Sequence, residues 1–227
     1  MSSPARPPMP FPTATDTAET YWDGFYSGLA QPEGWRPGPN VVLVEEVAPL
    51  TPGTALDLGC GMGGDAIWLA THGWRVTAVD VSEAALDRAR DHARRAGLAQ
   101  RIRWERHDLT DTLPTGEHDL VCAQFLHSPM ERPGQRDAML RRAMGAVAPG
   151  GSFLVIGHLG MPAAMKDTPF DVQLPTAAEL RAALGADPAE WRVVTERTVT
   201  RLTPDQDGTS APRQDGVLRL SRAAARR

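Results

Sequence analysis

The sequence predicts a doubly wound α/β fold with a mostly parallel, seven-stranded sheet and an antiparallel hairpin strand at its C-terminal end. From residue 40 onward, strand-like and helix-like segments alternate, which is typical of parallel strands joined by helices on both faces of a sheet. Near the C-terminus, two strand-like segments follow one another with only a polar loop between them. The chain has 227 residues, of which 41% are hydrophobic, so we expect a single domain.

The first half of the alternation begins with a helix predicted at 40–50. Its buried face is expected to consist of Val41, Val44, Val47 and Ala48, which recur at helical spacing. The elements that follow are a strand at 54–58, a helix at 65–71, a strand rich in β-branched residues at 74–80, and a helix from the N-cap Ser82 to about Gly97.

The second half continues the same alternation and then changes. The predicted elements are strands at 101–106 and 118–126, a helix with its stop at 131–151, a fifth strand at 152–159, a helix at 176–184, and the closing strands at 190–202 and 215–223. Because the last two strands have no helix between them, they predict an antiparallel pair.

The N-terminal region is predicted to divide in two. Residues 1–17 contain five prolines among mainly small residues, a composition that buries too little apolar surface to fold, so this segment is expected to be disordered. Residues 18–39 bring Trp22, Phe25 and Tyr26 together. We interpret them as a lid-like segment that docks on the single domain formed by 18–227.

Composition excludes several functional classes. The formal net charge is −4, whereas general binding to nucleic acid needs concentrated positive charge. No apolar stretch reaches the roughly 18 residues of a membrane span, and no signal peptide is recognisable. Cys60 and Cys122 are expected to be free thiols, which suits a cytoplasmic protein. We therefore expect a cytoplasmic monomer or homodimer with no nucleic-acid partner, membrane partner or metal site.

A glycine-rich turn follows the first predicted strand. Gly59, Gly61, Gly63 and Gly64 occupy four of six consecutive positions, so backbone N–H groups can approach a ligand closely at the start of the next helix. Asp80 ends the second strand about 20 residues later, where an acid can hold ribose hydroxyls. Because the glycine spacing also satisfies the dinucleotide pattern, a nicotinamide cofactor remains open at this point.

Three runs together are more specific than the glycines alone. "ALDLGCGMGGDAIWLA", "RVTAVDVS" and "ERHDL" resemble the cofactor half of class I S-adenosylmethionine-dependent methyltransferases. The resemblance extends over about residues 40–223, and the short loops look most like the small-molecule members of the tellurite-resistance and thiopurine types. It implies S-adenosylmethionine as the cofactor and a small molecule as the methyl acceptor.

The resemblance also implies a set of cofactor contacts. Asp57 would hold the amino-acid end, the glycines would line the methionine and ribose moieties, and Trp22 would cover the site. The full set is Trp22, Asp57, Gly59, Gly61, Gly63, Asp80, Val81, Asp108, Leu109 and Gln124. Within it, Asp80 is assigned to the ribose hydroxyls, Asp108 with Leu109 to the adenine edge, and Gln124 to the methionine portion.

Two histidines are the candidate catalytic residues. His127 follows the fourth strand and His158 closes the fifth, so both are expected at the ligand-binding edge of the sheet. A histidine titrates near pH ~6.5 and can take a proton from an acceptor. We expect His127 to be the better base, and we expect no metal between the two rings. The loop 158–176, which contains Met161, Met165 and Phe170, predicts a second lid.

Two other functions remain open at this stage. An NAD(P)-dependent oxidoreductase would share the glycine loop, although no Tyr-x-x-x-Lys motif surrounds Lys166, which is the sole lysine. The other alternative is a non-catalytic protein that binds S-adenosylmethionine. The sequence favours a methyltransferase that modifies an oxygen, nitrogen or sulfur atom.

Overall fold

The computed structural model describes residues 12, 13, 15–160, 174–204 and 210–225. Most of the N-terminal segment predicted to be disordered, and residues 161–173 of the predicted second lid, lie outside the described residues. The helices are α1 (Ala18–Gly28), α2 (Val41–Val47), α3 (Gly64–Thr71), α4 (Glu83–Arg95), α5 (Gln135–Met144) and α6 (Ala177–Leu184). The strands are β1 (Thr54–Leu58), β2 (Arg75–Asp80), β3 (Ile102–Arg106), β4 (His118–Gln124), β5 (Val147–Leu159), β6 (Trp191–Pro204) and β7 (Ser210–Arg222).

The seven strands form one sheet in the order β3-β2-β1-β4-β5-β7-β6. Strands β1 to β5 pair in parallel, and β7 runs antiparallel to both of its neighbours. The predicted fold class is therefore confirmed. The chain moves outward from β1 to β3 and then returns to β4, so the strand order reverses between β1 and β4. In sheets of this kind, the carboxyl ends of the strands at such a reversal form a ligand-binding crevice.

Alternate residues of the central strands point to opposite faces of the sheet, and an apolar cluster that includes helix residues buries each face. In β1, Leu56 and Leu58 belong to the apolar cluster that includes Leu140 of α5, while Ala55 belongs to the cluster that includes Leu69 of α3. All five residues have zero exposure. This rigid centre holds the ends of β1 and β4 in place.

The predicted buried face of α2 is right for Val47 but wrong for Val41 and Ala48, and Val44 is half-buried. The structure buries Val42, Leu43 and Val47, whereas Val41 is 59% exposed and Ala48 also faces solvent. Four consecutive apolar residues fit two helical faces equally well, so periodicity cannot choose between them. Tertiary contacts choose, and they also bury Glu46 against Arg219 at 3.2 Å.

The predicted helix at 131–151 is too long. The structure has a helix over Gln135–Met144, and the strand β5 already begins at Val147. The helix ends at its C-cap Gly145, before the proline and two glycines at 149–151 that were predicted as its stop. They instead form an irregularity in the pairing with β4, where the register shifts between His118 and Leu120.

Among the described residues, no helix is both long enough and apolar enough to cross a membrane.

Candidate functional site

A cleft of about 420 Å³ lies at the carboxyl ends of the central strands, within the range of small-ligand pockets, roughly 300–1,000 Å³. Its walls come from α1, the glycine loop, the turn after β3, the loop after β4 and the start of α5. Seven of the predicted site residues line it: Trp22, Gly59, Asp80, Val81, Asp108, Leu109 and His127. Asp57, Gly61, Gly63, Gln124 and His158 do not line the cleft directly.

The glycine loop is held in a conformation that side chains would prevent. Gly61 has φ of 51°, and a Cβ atom there would lie 2.8 Å from the hydroxyl of Tyr26. A Cβ atom on Gly64 would lie 2.4 Å from the carbonyl oxygen of Gly38. Gly63 is close to Trp104 instead, since its Cβ would lie 2.6 Å from that ring. At Gly59, which lines the cleft, a Cβ would lie 2.6 Å from the Leu126 side chain, so the whole loop is closely packed.

Asp80 joins the second strand to this loop. One carboxylate oxygen accepts from the backbone N–H of Gly61 at 2.8 Å, and the other accepts from that of Ser82 at 3.0 Å. Burial raises the pKa of Asp80, although the hydrogen bonds from Ser82, Gly61 and Val81 oppose this. These three bonds use three of the roughly four lone-pair sites of the carboxylate, and one remains for a ligand hydroxyl.

Three carboxyl groups, Asp57, Asp65 and Asp80, form what we call the acid cluster. Asp57 is 1% exposed, and its Oδ2 atom has no hydrogen-bond partner among the described residues. Burial, followed by repulsion from Asp65, raises the pKa of Asp57 well above its usual value. Burial also raises the pKa of Asp65 to about 6, while the Asn40 amide lowers it. Such a cluster favours a cation.

Gln124 lies at the centre of this cluster rather than in the cleft. With its amide nitrogen oriented toward the acids, it donates to Asp57 at 3.2 Å and to Asp65 at 3.3 Å. On the other side, the Asn40 backbone N–H donates to Asp65 at 2.6 Å, and the Cys122 thiol donates to Asp57 at 3.8 Å. Cys122 and Cys60 are both free thiols, as predicted.

The turn after β3 brings Asp108 and Leu109 to the cleft. Asp108 is exposed and accepts from the Thr110 backbone N–H at 2.9 Å and from its hydroxyl at 2.7 Å, so its side chain also stabilises the turn. Leu109 is 6% exposed. An apolar side chain beside a surface carboxylate suits the edge of a flat, polar ring.

Helix α1 forms the wall predicted as a lid. Asp23 accepts from the Ser82 hydroxyl at 2.6 Å and from the Ala84 backbone N–H at 3.1 Å, which fastens α1 to the start of α4. The Trp22 indole donates to the Ser128 hydroxyl at 3.3 Å across the cleft. Tyr26 also lines the cleft.

The two histidines lie in one group behind and beside the cleft. Their ring centroids are 5.7 Å apart, and Phe125 stacks on His158 at 3.9 Å. His158 Nδ1 lies 3.0 Å from a carboxylate oxygen of Asp215, which is fully buried and also pairs with Arg201. Phe125 has φ of 53°, a conformation that is rare for a bulky residue. Such strain is concentrated at functional sites.

Sequence reasoning missed four residues of this region. Asp65 stood inside the quoted glycine run, and its place in the first turn of the helix after the glycines was the available signal. Asp215, Phe125 and Arg136 carried no local signal, because their partners lie far away along the chain or are backbone groups. His158 and Asp215, for example, are 57 residues apart.

The described residues contain no group of three or more histidine, cysteine or acidic side chains that could hold a metal ion.

Comparisons with known proteins identify the domain. Residues 55–151 match the family model of a methyltransferase domain. The ribosomal RNA small subunit methyltransferase C of Alcanivorax borkumensis is 34% identical over 116 residues, which cover 49% of this chain and 34% of that protein. The 27-O-demethylrifamycin SV methyltransferase of Amycolatopsis mediterranei is 34% identical over 109 residues, covering 47% of this chain and 39% of that protein. This chain thus spans between a third and two fifths of the length of these relatives.

Solved structures extend the likeness to the whole sheet. One, from work on the conversion of a disulfide bond into a thioacetal group during echinomycin biosynthesis, has a TM-score of 0.69 and 24% identity, covering 91% of this chain and 92% of that chain. Magnesium protoporphyrin IX methyltransferase from Synechocystis, with S-adenosylmethionine bound, has a TM-score of 0.59 and 19% identity, covering 81% and 77%. Residues 55–151 therefore match the methyltransferase domain family, and the chain shares the class I methyltransferase fold of these solved structures.

Proposed function

We propose that this chain transfers the methyl group of S-adenosylmethionine to an oxygen, nitrogen or sulfur atom of a small molecule. The observation that carries the proposal is the composition of the cleft. Gly59 and Asp80, at the ends of the first two strands, and His127, after the fourth, line the same space. A site for a nucleoside cofactor and a group able to accept a proton therefore share one cavity.

The acid cluster suits the charges of S-adenosylmethionine, which is cationic at its ammonium and sulfonium groups. Asp57 has a buried oxygen without a partner among the described residues, and an ammonium group would satisfy it. Asp80 is placed to receive ribose hydroxyls, and Val81 and Leu109 offer an apolar contact for adenine. These assignments explain why three carboxyl groups are buried close together, although their burial and mutual repulsion destabilise the ligand-free protein.

Methyl transfer is an in-line displacement, so the protein must position the acceptor and exclude water. Bound S-adenosylmethionine supplies the electrophilic methyl group. We assign proton removal to His127 because it lines the cleft, and we assign to His158 the positioning of His127, because the two rings lie 5.7 Å apart and Asp215 fixes the His158 ring at 3.0 Å. The carboxylate favours one tautomer, in which Nδ1 carries the proton and Nε2 is free to accept.

Calorimetric titration tests the cofactor assignment. We expect S-adenosylhomocysteine to bind the full chain and NAD to show no heat, because the acid cluster would repel the dinucleotide phosphates. Binding of NAD alone would contradict the proposal and favour the oxidoreductase alternative. Asp57→Asn is expected to weaken the binding of S-adenosylhomocysteine at least tenfold.

A panel of hydroxylated, aminated and thiol-containing metabolites with methyl-labelled S-adenosylmethionine tests the transfer itself. We expect at least one small molecule to become labelled, and His127→Ala to slow that turnover. Tight cofactor binding without any labelling across the panel would favour the non-catalytic alternative. Labelling of RNA in preference to every metabolite would contradict the small-molecule assignment.

The remaining predictions about partners and location belong to the same proposal. Two free cysteines support a reducing, cytoplasmic setting, and the net charge of −4 supports a function without nucleic acid or membrane. We expect a monomer or homodimer, which light scattering would measure directly.

A further inference from the structure

A buried arginine lines the cleft at the start of α5. Arg136 is 6% exposed, yet it forms part of the cleft wall. Its Nε–H donates to the carbonyl oxygen of Leu126 at 2.8 Å. Its Nη2 atom lies beside β5, since a Cβ on Gly157 would be 3.3 Å away. Counting partners among the described residues, one of its five N–H donors is used, and this bond orients the guanidinium.

No described carboxylate lies within 4.0 Å of this guanidinium. Burial lowers the pKa of Arg136, and the more distant charges of Glu131 and Asp137 oppose this only in part. The Glu131 carboxylate is turned to backbone groups instead: it accepts from the Ser128 N–H at 3.4 Å and from the Arg136 backbone N–H. A buried charge without a direct counter-ion is costly. An anionic ligand in the cleft would remove that cost.

The other residues that line the cleft indicate the chemistry of the rest of this ligand. Five of the residues that line the cleft together with Arg136 are large and apolar: Trp22, Phe125, Leu126, Met130 and Met139. Arg132 also lines the cleft and adds positive charge from its exposed position. A planar guanidinium with free parallel donors matches a carboxylate better than it matches a neutral carbonyl.

We propose that the methyl acceptor is a compact apolar molecule that carries a carboxylate, and that Arg136 binds this carboxylate. The inference rests on the proposed methyl transfer, because it names the class of acceptor for the same cleft. Arg136 would fix the orientation of the acceptor, while the atom to be methylated lies toward the histidines. Neutral analogues of the same shape would leave the buried charge unpaired and bind weakly.

Benzoate and benzamide are suitable probes because they share size and shape and differ in charge. Each is titrated by calorimetry into the full chain saturated with S-adenosylhomocysteine. We expect benzoate to bind at least tenfold more tightly than benzamide. Equal affinities in the unmodified protein would overturn the proposal, and this comparison needs no variant to fold.

Variants then locate the bound anion. Arg136→Gln should abolish the preference for benzoate, and Arg136→Lys should retain part of it. The matched control is Arg141→Gln on the same helix, since Arg141 bonds the Ala183 carbonyl at 2.8 Å outside the cleft. A benzoate preference that survives in Arg136→Gln would place the anion elsewhere and overturn the assignment.

The two proposals fail separately. Loss of S-adenosylhomocysteine binding in the unmodified chain would contradict the proposed function, whereas intact cofactor binding without discrimination of benzoate would contradict only the role of Arg136. We expect Arg136→Gln to bind S-adenosylhomocysteine within twofold of the unmodified chain, because Arg136 makes no contact with the acid cluster. Glu131→Gln should tighten benzoate binding, since it removes a nearby negative charge; weaker binding in that variant would contradict the proposal.

Discussion

The affinity for the cofactor should depend on the ionisation of Asp65. Its pKa is raised from 3.8 to about 6, mainly by burial, and Gln124 links it to Asp57 through bonds of 3.3 and 3.2 Å. If the ammonium of the cofactor binds the ionised cluster, the fraction of ionised Asp65 sets the affinity. That fraction falls from about nine tenths at pH 7 to about one tenth at pH 5. We therefore expect the Kd for S-adenosylhomocysteine to rise about tenfold over this interval.

The stability of the ligand-free protein should change with pH in the opposite direction to the cofactor affinity. Because the pKa of Asp65 is higher in the folded chain, the folded state binds more protons than the unfolded state between about pH 4 and pH 6. The free energy of unfolding of the ligand-free protein should therefore fall as the pH rises through this window. A carboxyl group with a pKa of about 6 would contribute a loss of up to about 3 kcal/mol. Ligand binding above pH 6 should recover stability.

Calorimetry from pH 5 to pH 8 in two buffers of different ionisation enthalpy measures both quantities. At pH 6, binding should release about half a proton from Asp65. Asp65→Asn keeps an oxygen to accept the Asn40 N–H, which lies at 2.6 Å, but it removes the titration. In this variant the pH dependence of the affinity should be smaller, because only Asp57 and Asp80, whose pKa values burial also raises, still titrate in the cluster. An equal Kd at pH 5 and pH 7 in the unmodified chain, or an unchanged pH dependence in Asp65→Asn, would refute the reasoning.

Three further predictions concern the loop, the docked helix and the histidine. Gly64→Ala places a Cβ 2.4 Å from the Gly38 carbonyl oxygen and should lower the free energy of unfolding in urea by about 1–3 kcal/mol. Gly24→Ala, with no atom within 4 Å of its Cβ, should stabilise α1 by up to about 1 kcal/mol. If Gly64→Ala and Gly24→Ala lowered the free energy of unfolding equally, the local clash at Gly64 would be contradicted. Asp23→Ala removes the two bonds that Asp23 accepts at the start of α4; it should cost about 1–2 kcal/mol and speed proteolysis at 18–39. Glu19→Gln, in an exposed ion pair with Arg106, should change little. Asp215→Asn should lower kcat at least tenfold with little change in the KM of the acceptor. The control Asp91→Asn, on the outer side of α4, should leave both constants unchanged. A normal kcat in Asp215→Asn would contradict the positioning role of Asp215.

Much of the fold could be predicted because its signals are local. A strand and a helix differ in the period of their apolar residues, and a positive φ next to a crowded neighbour calls for glycine, as at Gly61. The closing hairpin was predictable because no helix separates its strands. The same local patterns failed at α2, where consecutive apolar residues allow two faces, and at the end of α5.

Some features of the site likewise follow from the sequence, and others follow only from the tertiary structure. The sequence by itself determined that bare backbone, an acid at the end of β2 and two histidines after β4 and in β5 would meet at one edge of a parallel sheet, because the carboxyl ends of parallel strands share that edge. Only the tertiary structure decided that Asp57 and Asp65 share Gln124, that Asp215 holds His158, and that Arg136 lies buried in the cleft wall. Those contacts join residues that are distant along the chain, and the sheet register and helix docking that create them are set by packing of the whole core rather than by any local pattern.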